Sequence, residues 1–175
     1  RPILYIVYNA SRKQQDEKIF FECAPKAKTI HNKNCLFAIQ GPESIEVLDN
    51  IIQIPKDMNF LDISLFVYKN EKIIVSRSGY TGEDGFEISI STDQAEDFVK
   101  DLLQNKNTLL CGLGSRDSLR LEAGLSLYGH ELNENITPIE AGLSWALDKN
   151  RINDESLNGN KILSSQLNNK PSNKK

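Results

Sequence analysis

At 175 residues, 39% of them apolar, the chain is long enough to bury one good core, or one domain with parts of its neighbours. Charged residues make up 26% and the net charge is −3, which excludes both the basic surplus of a nucleic-acid binder and the acidic excess of a solvating tail. No apolar run approaches the ~20 residues that cross a bilayer, and Arg1-Pro2-Ile3 lacks a signal-peptide pattern, so the sequence reads as soluble and intracellular, with no membrane partner.

The chain starts at Arg1 and enters an apolar run at once, Ile3 to Tyr8, which predicts a strand in need of partners and hence a piece of a longer protein cut inside a domain. A short helix over Asp16 to Phe21 follows, and then an exposed connection from Ala24 to Asn34 carrying Pro25, Lys26, Lys28, His31 and Lys33. His31 and His130 have no nucleophile and carboxylate neighbours of a triad and read as solvated or locally bonded. Cys23, Cys35 and Cys111 are odd in number, widely spaced and free of any CxxC pair; neither a disulfide framework nor a metal site is signalled, and each reads as a small buried apolar residue.

Cys35 to Gln40 is an apolar run stopped by Gly41-Pro42, a strand and turn, with Pro42 fitting the first turn of a helix. Ile45, Leu48, Ile51 and Ile52 then fall at helical spacing over Glu43 to Ile52. Ile63 to Tyr68 and Lys72 to Arg77 flank a three-residue corner, Lys69-Asn70-Glu71, and predict a hairpin.

The hairpin leads into SRSGYTGEDGFEISI, residues 76–90, where Gly79, Gly82 and Gly85 permit a turn that brings backbone close to a neighbour. Beyond the turn, period-2 alternation sends Phe86, Ile88 and Ile90 to one face and Glu87 with Ser89 to the other. Thr92 is placed to cap a helix to about Asn105, with Ala95, Phe98, Val99, Leu102 and Leu103 at helical spacing. A further helix, capped by Ser115 and stopped by Gly124, carries Arg116 and Arg120 one turn apart. Pro138 is expected to begin a short helix, and Leu143 to Leu147 a strand holding Trp145. Past Asp148 the composition turns to Asn, Lys and Ser; Ile162, Leu163 and Leu167 form one helical stripe, and Lys170 to Lys175 cannot bury enough to order itself alone. This order of elements predicts an α+β fold of mostly antiparallel sheet with packed helices.

Taken together, SRSGYTGEDGFEISI, GLGSRDSLRLEAGLSLYGHEL and TPIEAGLSWAL, preceded by ILYIVYNAS and LFAIQGPESIEVL, resemble the T-protein family of the glycine cleavage system, tetrahydrofolate-dependent aminomethyltransferases. The resemblance covers almost the whole chain and keeps the family's motif order. Within the same superfamily it is nearer than the C-terminal regions of sarcosine and dimethylglycine dehydrogenases, and the Lys-Gly-Cys-Tyr-x-Gly-Gln-Glu signature of an iron–sulfur assembly relative is absent.

The resemblance implies transfer of a one-carbon unit from an aminomethyl group on the lipoyl arm of the H-protein to tetrahydrofolate, with release of ammonia and without a metal. It carries folate-binding roles onto Glu87 and Arg116, which are expected to approach each other across a cleft, and makes Tyr80 and Tyr128 possible pterin neighbours. On the residues alone, Glu87 reads as a solvated side chain, Arg116 as either a tolerated surface cation or a functional position, and each tyrosine as a core residue with a bonded hydroxyl. Arg120, Glu122 and Asp117 read as helix pairs.

The family's catalytic aspartate is expected before Arg1, and a third domain with a further folate-contacting arginine after Lys175. Under this reading 1–54 is part of a first folate-binding domain, 55–108 a second α+β subdomain, 109–150 a return to the first, and 151–175 a polar linker. The expected compartment is the cytoplasm of a bacterium or the mitochondrial matrix of a eukaryote. The alternative is a folate-binding module or degenerate subunit without transferase activity, or the folate domain of a sarcosine/dimethylglycine dehydrogenase-like protein.

Overall fold

The computed structural model describes residues 4–169, in two compact units: Cys23–Leu125, and Arg1–Glu22 with Ser126–Lys175. None of the helices among these residues is long and apolar enough to cross a membrane.

In the first unit four strands, β1 (Cys35–Gln40), β2 (Ile63–Tyr68), β3 (Glu71–Ser76) and β4 (Gly85–Ile90), form one antiparallel sheet in the order β1-β4-β3-β2. Among the described residues the helices are α1 (Lys13–Cys23), α2 (Ser44–Ile52), α3 (Thr92–Leu102), α4 (Leu113–Glu122) and α5 (Asn160–Asn168). The sheet is antiparallel throughout and the class is α+β, as the element order predicts. Strand alternation assigns its two faces. Ile73, Val75, Phe86, Ile88 and Ile90 are buried on one side against Val47, Leu48 and Ile52 of α2 and Phe98 and Leu102 of α3. Ring contacts of Phe98 with Phe37 at 6.2 Å and with Tyr68 at 5.1 Å tie α3 to both outer strands. β1 and α2, assigned from sequence to a domain ending near residue 54, share this sheet and core with β2–β4.

Several local expectations change for identifiable reasons. Residues 4–8 form no strand; Leu4 and Val7 are exposed and no neighbouring strand among the described residues pairs with them, while Ile3 lies outside those residues. The hairpin corner holds two residues, since Glu71 pairs with Tyr68, and Lys69 (φ 44°) and Asn70 (φ 70°) take the two positive angles of a type I′ turn. Pro42 precedes the N-cap, which is Glu43; Ser91 caps α3 in place of Thr92, and Gly112 caps α4 in place of Ser115. Gly124 (φ 70°) ends α4 as expected: the Gly124 N–H donates to Leu121 O at 3.0 Å and the Leu125 N–H to Arg120 O at 2.8 Å. Cys23 and Cys111 are exposed, because α1 buries none of its residues and the loop before α4 is uncovered.

In the second unit, the expected helix at Pro138 is one turn closed by a reciprocal box: Glu140 N–H donates to Thr137 Oγ1 at 3.2 Å, and Thr137 N–H to the Glu140 carboxylate at 2.8 Å. The expected strand at Trp145 is a 3-10 turn, Ser144–Ala146, with Trp145 78% exposed; no ladder neighbour reaches this run among the described residues. α5 forms over the Ile162, Leu163 and Leu167 stripe, and Lys170 to Lys175 lie outside the described residues.

The alternation yields a direct expectation for stability. Ile88→Ala, at a fully buried position, lowers the unfolding free energy by about 2–5 kcal/mol, whereas Leu65→Ala, on the opposite face at 65% exposure, changes it by less than about 0.5 kcal/mol, both measured by urea unfolding. Equal losses would mean that the faces are assigned wrongly.

Candidate functional site

Between β3 and β4 the chain makes the glycine-rich loop 77–84, and its two ends are clamped by one ion pair. Arg77 donates from Nε to Asp84 Oδ1 at 2.9 Å and from Nη2 to Oδ2 at 2.7 Å, and a third donor, Nη1, reaches Met58 O at 2.6 Å. The fork geometry of guanidinium matches a carboxylate, which makes this a strong charge-assisted pair. Arg77 holds the Asp84 carboxyl below its usual range, and Asp84 raises Arg77 in turn.

The neighbour that the loop approaches is Gln40, the last residue of β1. Its Nε2 donates to Ser78 O at 3.1 Å and its Oε1 accepts from Thr81 Oγ1 at 3.1 Å, so one amide satisfies both arms of the loop. A Cβ at Gly79 or at Gly85 would overlap the Gln40 amide, which is why both positions are glycine. Gly82 has φ +78°, and a Cβ there would stand 2.8 Å from Ala123 Cβ; at this point the loop rests on the end of α4.

Glu87 leaves the sheet on the face opposite the core. Its register partners are Ala38 on β1 and Ser76 on β3, two small side chains, so the half-buried carboxylate is flanked by low ground on both sides. Ser78 Oγ donates to Glu87 Oε2 at 2.8 Å.

Arg116, the fourth residue of α4, is exposed, and its guanidinium carbon lies 5.2 Å from the centroid of the Tyr80 ring, a cation–π contact that offsets its unfavourable place near a helix N-terminus. The Tyr80 hydroxyl faces Leu125 O at 3.5 Å, and Arg120 donates to the same carbonyl at 3.1 Å. Arg120 is 1% exposed and pairs with Asp117 at 2.9 Å, the helix pair read from the sequence, although its burial was not. Ser118 and Glu122 meet at 3.4 Å on the same helix.

Three of the four nominated residues thus gather on one loop: Glu87 through Ser78, and Arg116 through Tyr80. Among the described residues no ion pair or hydrogen bond joins Glu87 to Arg116 directly. Tyr128 belongs to the other unit, where the Arg12 guanidinium lies 5.5 Å from its ring centroid and pairs with Glu134. Gln40, Ser78 and the Arg77–Asp84 clamp carry the loop and were not singled out from sequence. The signal for Gln40 was the pair of glycines, Gly79 and Gly85, which demand something close; which residue fills that demand depends on β1 pairing with β4. No group of His, Cys, Asp and Glu among the described residues has the arrangement of a metal site.

Two outcomes follow from the loop. Gly79→Ala destabilises the protein by about 1–3 kcal/mol by forcing Gln40 aside, and most of that loss disappears in a Gln40→Ala background, a non-additivity read from denaturant unfolding. Because Asp84 is depressed in the folded state, its pairing stabilises above the unfolded carboxyl range and is lost as pH falls from about 4 downward. The stability gap between wild type and Asp84→Asn is therefore present at neutral pH and closes in acid; a gap unchanged down to pH 2 would remove the ion pair from the account.

The GCVT N-terminal domain model matches residues 3–151. The mitochondrial aminomethyltransferase of Saccharomyces cerevisiae is 39% identical over 183 aligned residues, which take in 95% of this chain and 46% of that protein; the pea (Pisum sativum) enzyme is 40% identical, over 97% and 44%. A crystal structure of the glycine cleavage system aminomethyltransferase T from Bartonella henselae superposes with a TM-score of 0.81 at 35% identity, covering 94% of this chain and 45% of that one. The chain spans a little under half the length of these relatives, and by the family model and by identity over nearly all its residues it belongs to the glycine cleavage T-protein (GCVT) family.

Proposed function

We propose that the protein to which this chain belongs is an aminomethyltransferase that moves a one-carbon unit from the aminomethyl group on a lipoylated H-protein to tetrahydrofolate, releasing ammonia. The observation that carries the reading is the glycine-rich loop, which holds one anion, Glu87, through Ser78 and one exposed cation, Arg116, through Tyr80. A pterin edge presents an amine and a ring N–H side by side, donors that a carboxylate accepts together, and a guanidinium suits the ligand's carbonyl or carboxylate. In such a site the side chains bind and orient. Holding the folate nitrogen against the aminomethyl carbon, and stabilising charge as the amine leaves, supplies most of the acceleration.

Tyr80 forms one wall of the proposed pterin site beside Arg116. The yeast and pea relatives are mitochondrial, which supports a matrix location if the source is eukaryotic. The resemblance assigns the family's aspartate to the segment before Arg1, so the 175-residue chain made alone is expected to yield no methylenetetrahydrofolate. Turnover by that chain, with carrier and tetrahydrofolate supplied, would put the chemistry within residues 1–175.

In the full-length protein, Glu87→Ala and Arg116→Ala each weaken tetrahydrofolate binding by about 1.5–3 kcal/mol, roughly ten- to a hundredfold, and leave the melting temperature within a few degrees of wild type. Titration calorimetry with tetrahydrofolate decides this. Unaltered affinity in Glu87→Ala would return Glu87 to a solvated strand residue, and binding without turnover in the wild-type protein would favour a folate-binding module.

A further inference from the structure

Ser78 is fixed at both ends in a way its place in a surface loop does not require. Its carbonyl accepts the Gln40 amide at 3.1 Å, and its hydroxyl lies 2.8 Å from Glu87 Oε2 and 3.0 Å from Ser76 Oγ. An ionised carboxylate has no proton to give, so the Ser78 proton goes to Glu87 and the Ser76 hydroxyl supplies the contact behind it, a two-hydroxyl relay ending on one carboxylate oxygen. Ser76 is the register partner of Glu87 across β3 and β4, so the ladder itself sets the spacing of this relay.

We infer that Ser78 is a positioning residue for Glu87: it holds the carboxylate in one orientation, occupying one lone pair of Oε2 and leaving the remaining lone pairs of both oxygens directed at the ligand's paired donors. A glutamate on an open sheet face otherwise samples several rotamers and must be ordered when a ligand arrives. The relay does that ordering in advance. The inference rests on Glu87 being the folate-binding carboxylate.

The experiment is a titration of the full-length protein with tetrahydrofolate for wild type, Ser78→Ala, Ser78→Cys, Ser78→Thr, Glu87→Ala and the Ser78→Ala/Glu87→Ala double variant. Loss of the hydroxyl weakens binding about three- to tenfold in Ser78→Ala, and equally in Ser78→Cys, which keeps the volume and has only a weak donor. Ser78→Thr, which retains the donor, binds within about twofold of wild type. In the Glu87→Ala background the Ser78 change has no further effect, because there is no carboxylate left to orient. The role of Ser78 is overturned if its loss costs nothing while Glu87→Ala weakens binding, if the two losses simply add, or if Ser78→Thr is no better than Ser78→Cys. An unaltered Glu87→Ala overturns the Glu87 assignment and this inference with it, and that arm alone distinguishes the two failures.

Discussion

The Gln40 side chain is the tie on which the rest of the site depends. It ends β1 and lies against the loop between β3 and β4, so a single amide couples an edge strand to a turn between two other strands. Two partners on that loop, the Ser78 carbonyl and the Thr81 hydroxyl, bond to this one amide. The amide can do this only because Gly79 and Gly85 have no Cβ, so two glycines and one glutamine form a single unit of sequence spread over more than forty positions. The Arg77–Asp84 pair closes the loop at its neck, and Gly82 seats its tip against Ala123 at the end of α4. Ser78 and Tyr80 are placed by these three fixings, and through them Glu87 and Arg116.

The sheet separates what stabilises from what can bind. On one face β4 buries Phe86, Ile88 and Ile90 under α2 and α3, and this burial is the main favourable contribution to folding of the unit. The other face carries Glu87 among small neighbours, with Ile63, Leu65 and Val67 exposed farther out on β2. A change on the first face acts through packing and reaches the site only by unfolding it. A change on the second face, at Glu87 or its neighbours, leaves that packing in place, so the proposed folate role can be tested apart from stability.

The sequence pattern made one half of this arrangement legible. Period-2 alternation located the apolar core face of β4, and helical spacing found the apolar stripes of α2, α3 and α5, because those signals are local and repeat several times within each element. The misreadings lie where a non-local partner decides. Leu4 to Tyr8 and Leu143 to Leu147 have strand-like composition, but a strand exists only with a neighbour to bond, and the described residues supply none. Helix caps shifted by a residue or more because Ser91 and Gly112 are chosen by where the preceding chain turns, not by side-chain preference; neither cap makes a side-chain bond. Glu87 and Arg116 were reached through the resemblance, whereas Gln40 and Ser78 required the register of β1 on β4 and of β4 on β3.

The charged residues around the loop fall into two sets, one answered by an opposite charge and one held by neutral groups. Arg77 and Asp84 are partly buried, sit 2.7 Å apart, and shift each other toward their ionised forms; their charges are already answered, and a ligand entering there would have to break a forked pair. Glu87 and Arg116 carry opposite charges on the same loop framework without forming an ion pair to each other, and each is held by a neutral group instead, a serine hydroxyl and a tyrosine ring. Neutral holders fix direction without cancelling charge. The two side chains therefore keep most of their electrostatic reach for something outside the protein, and because Arg116 is exposed and Glu87 only half-buried, water carries the cost of that charge until a ligand replaces it. For the proposed folate site, a ligand with paired donors at one end and an acceptor at the other meets both charges at once, and a ligand lacking either leaves one of them desolvated and unmet.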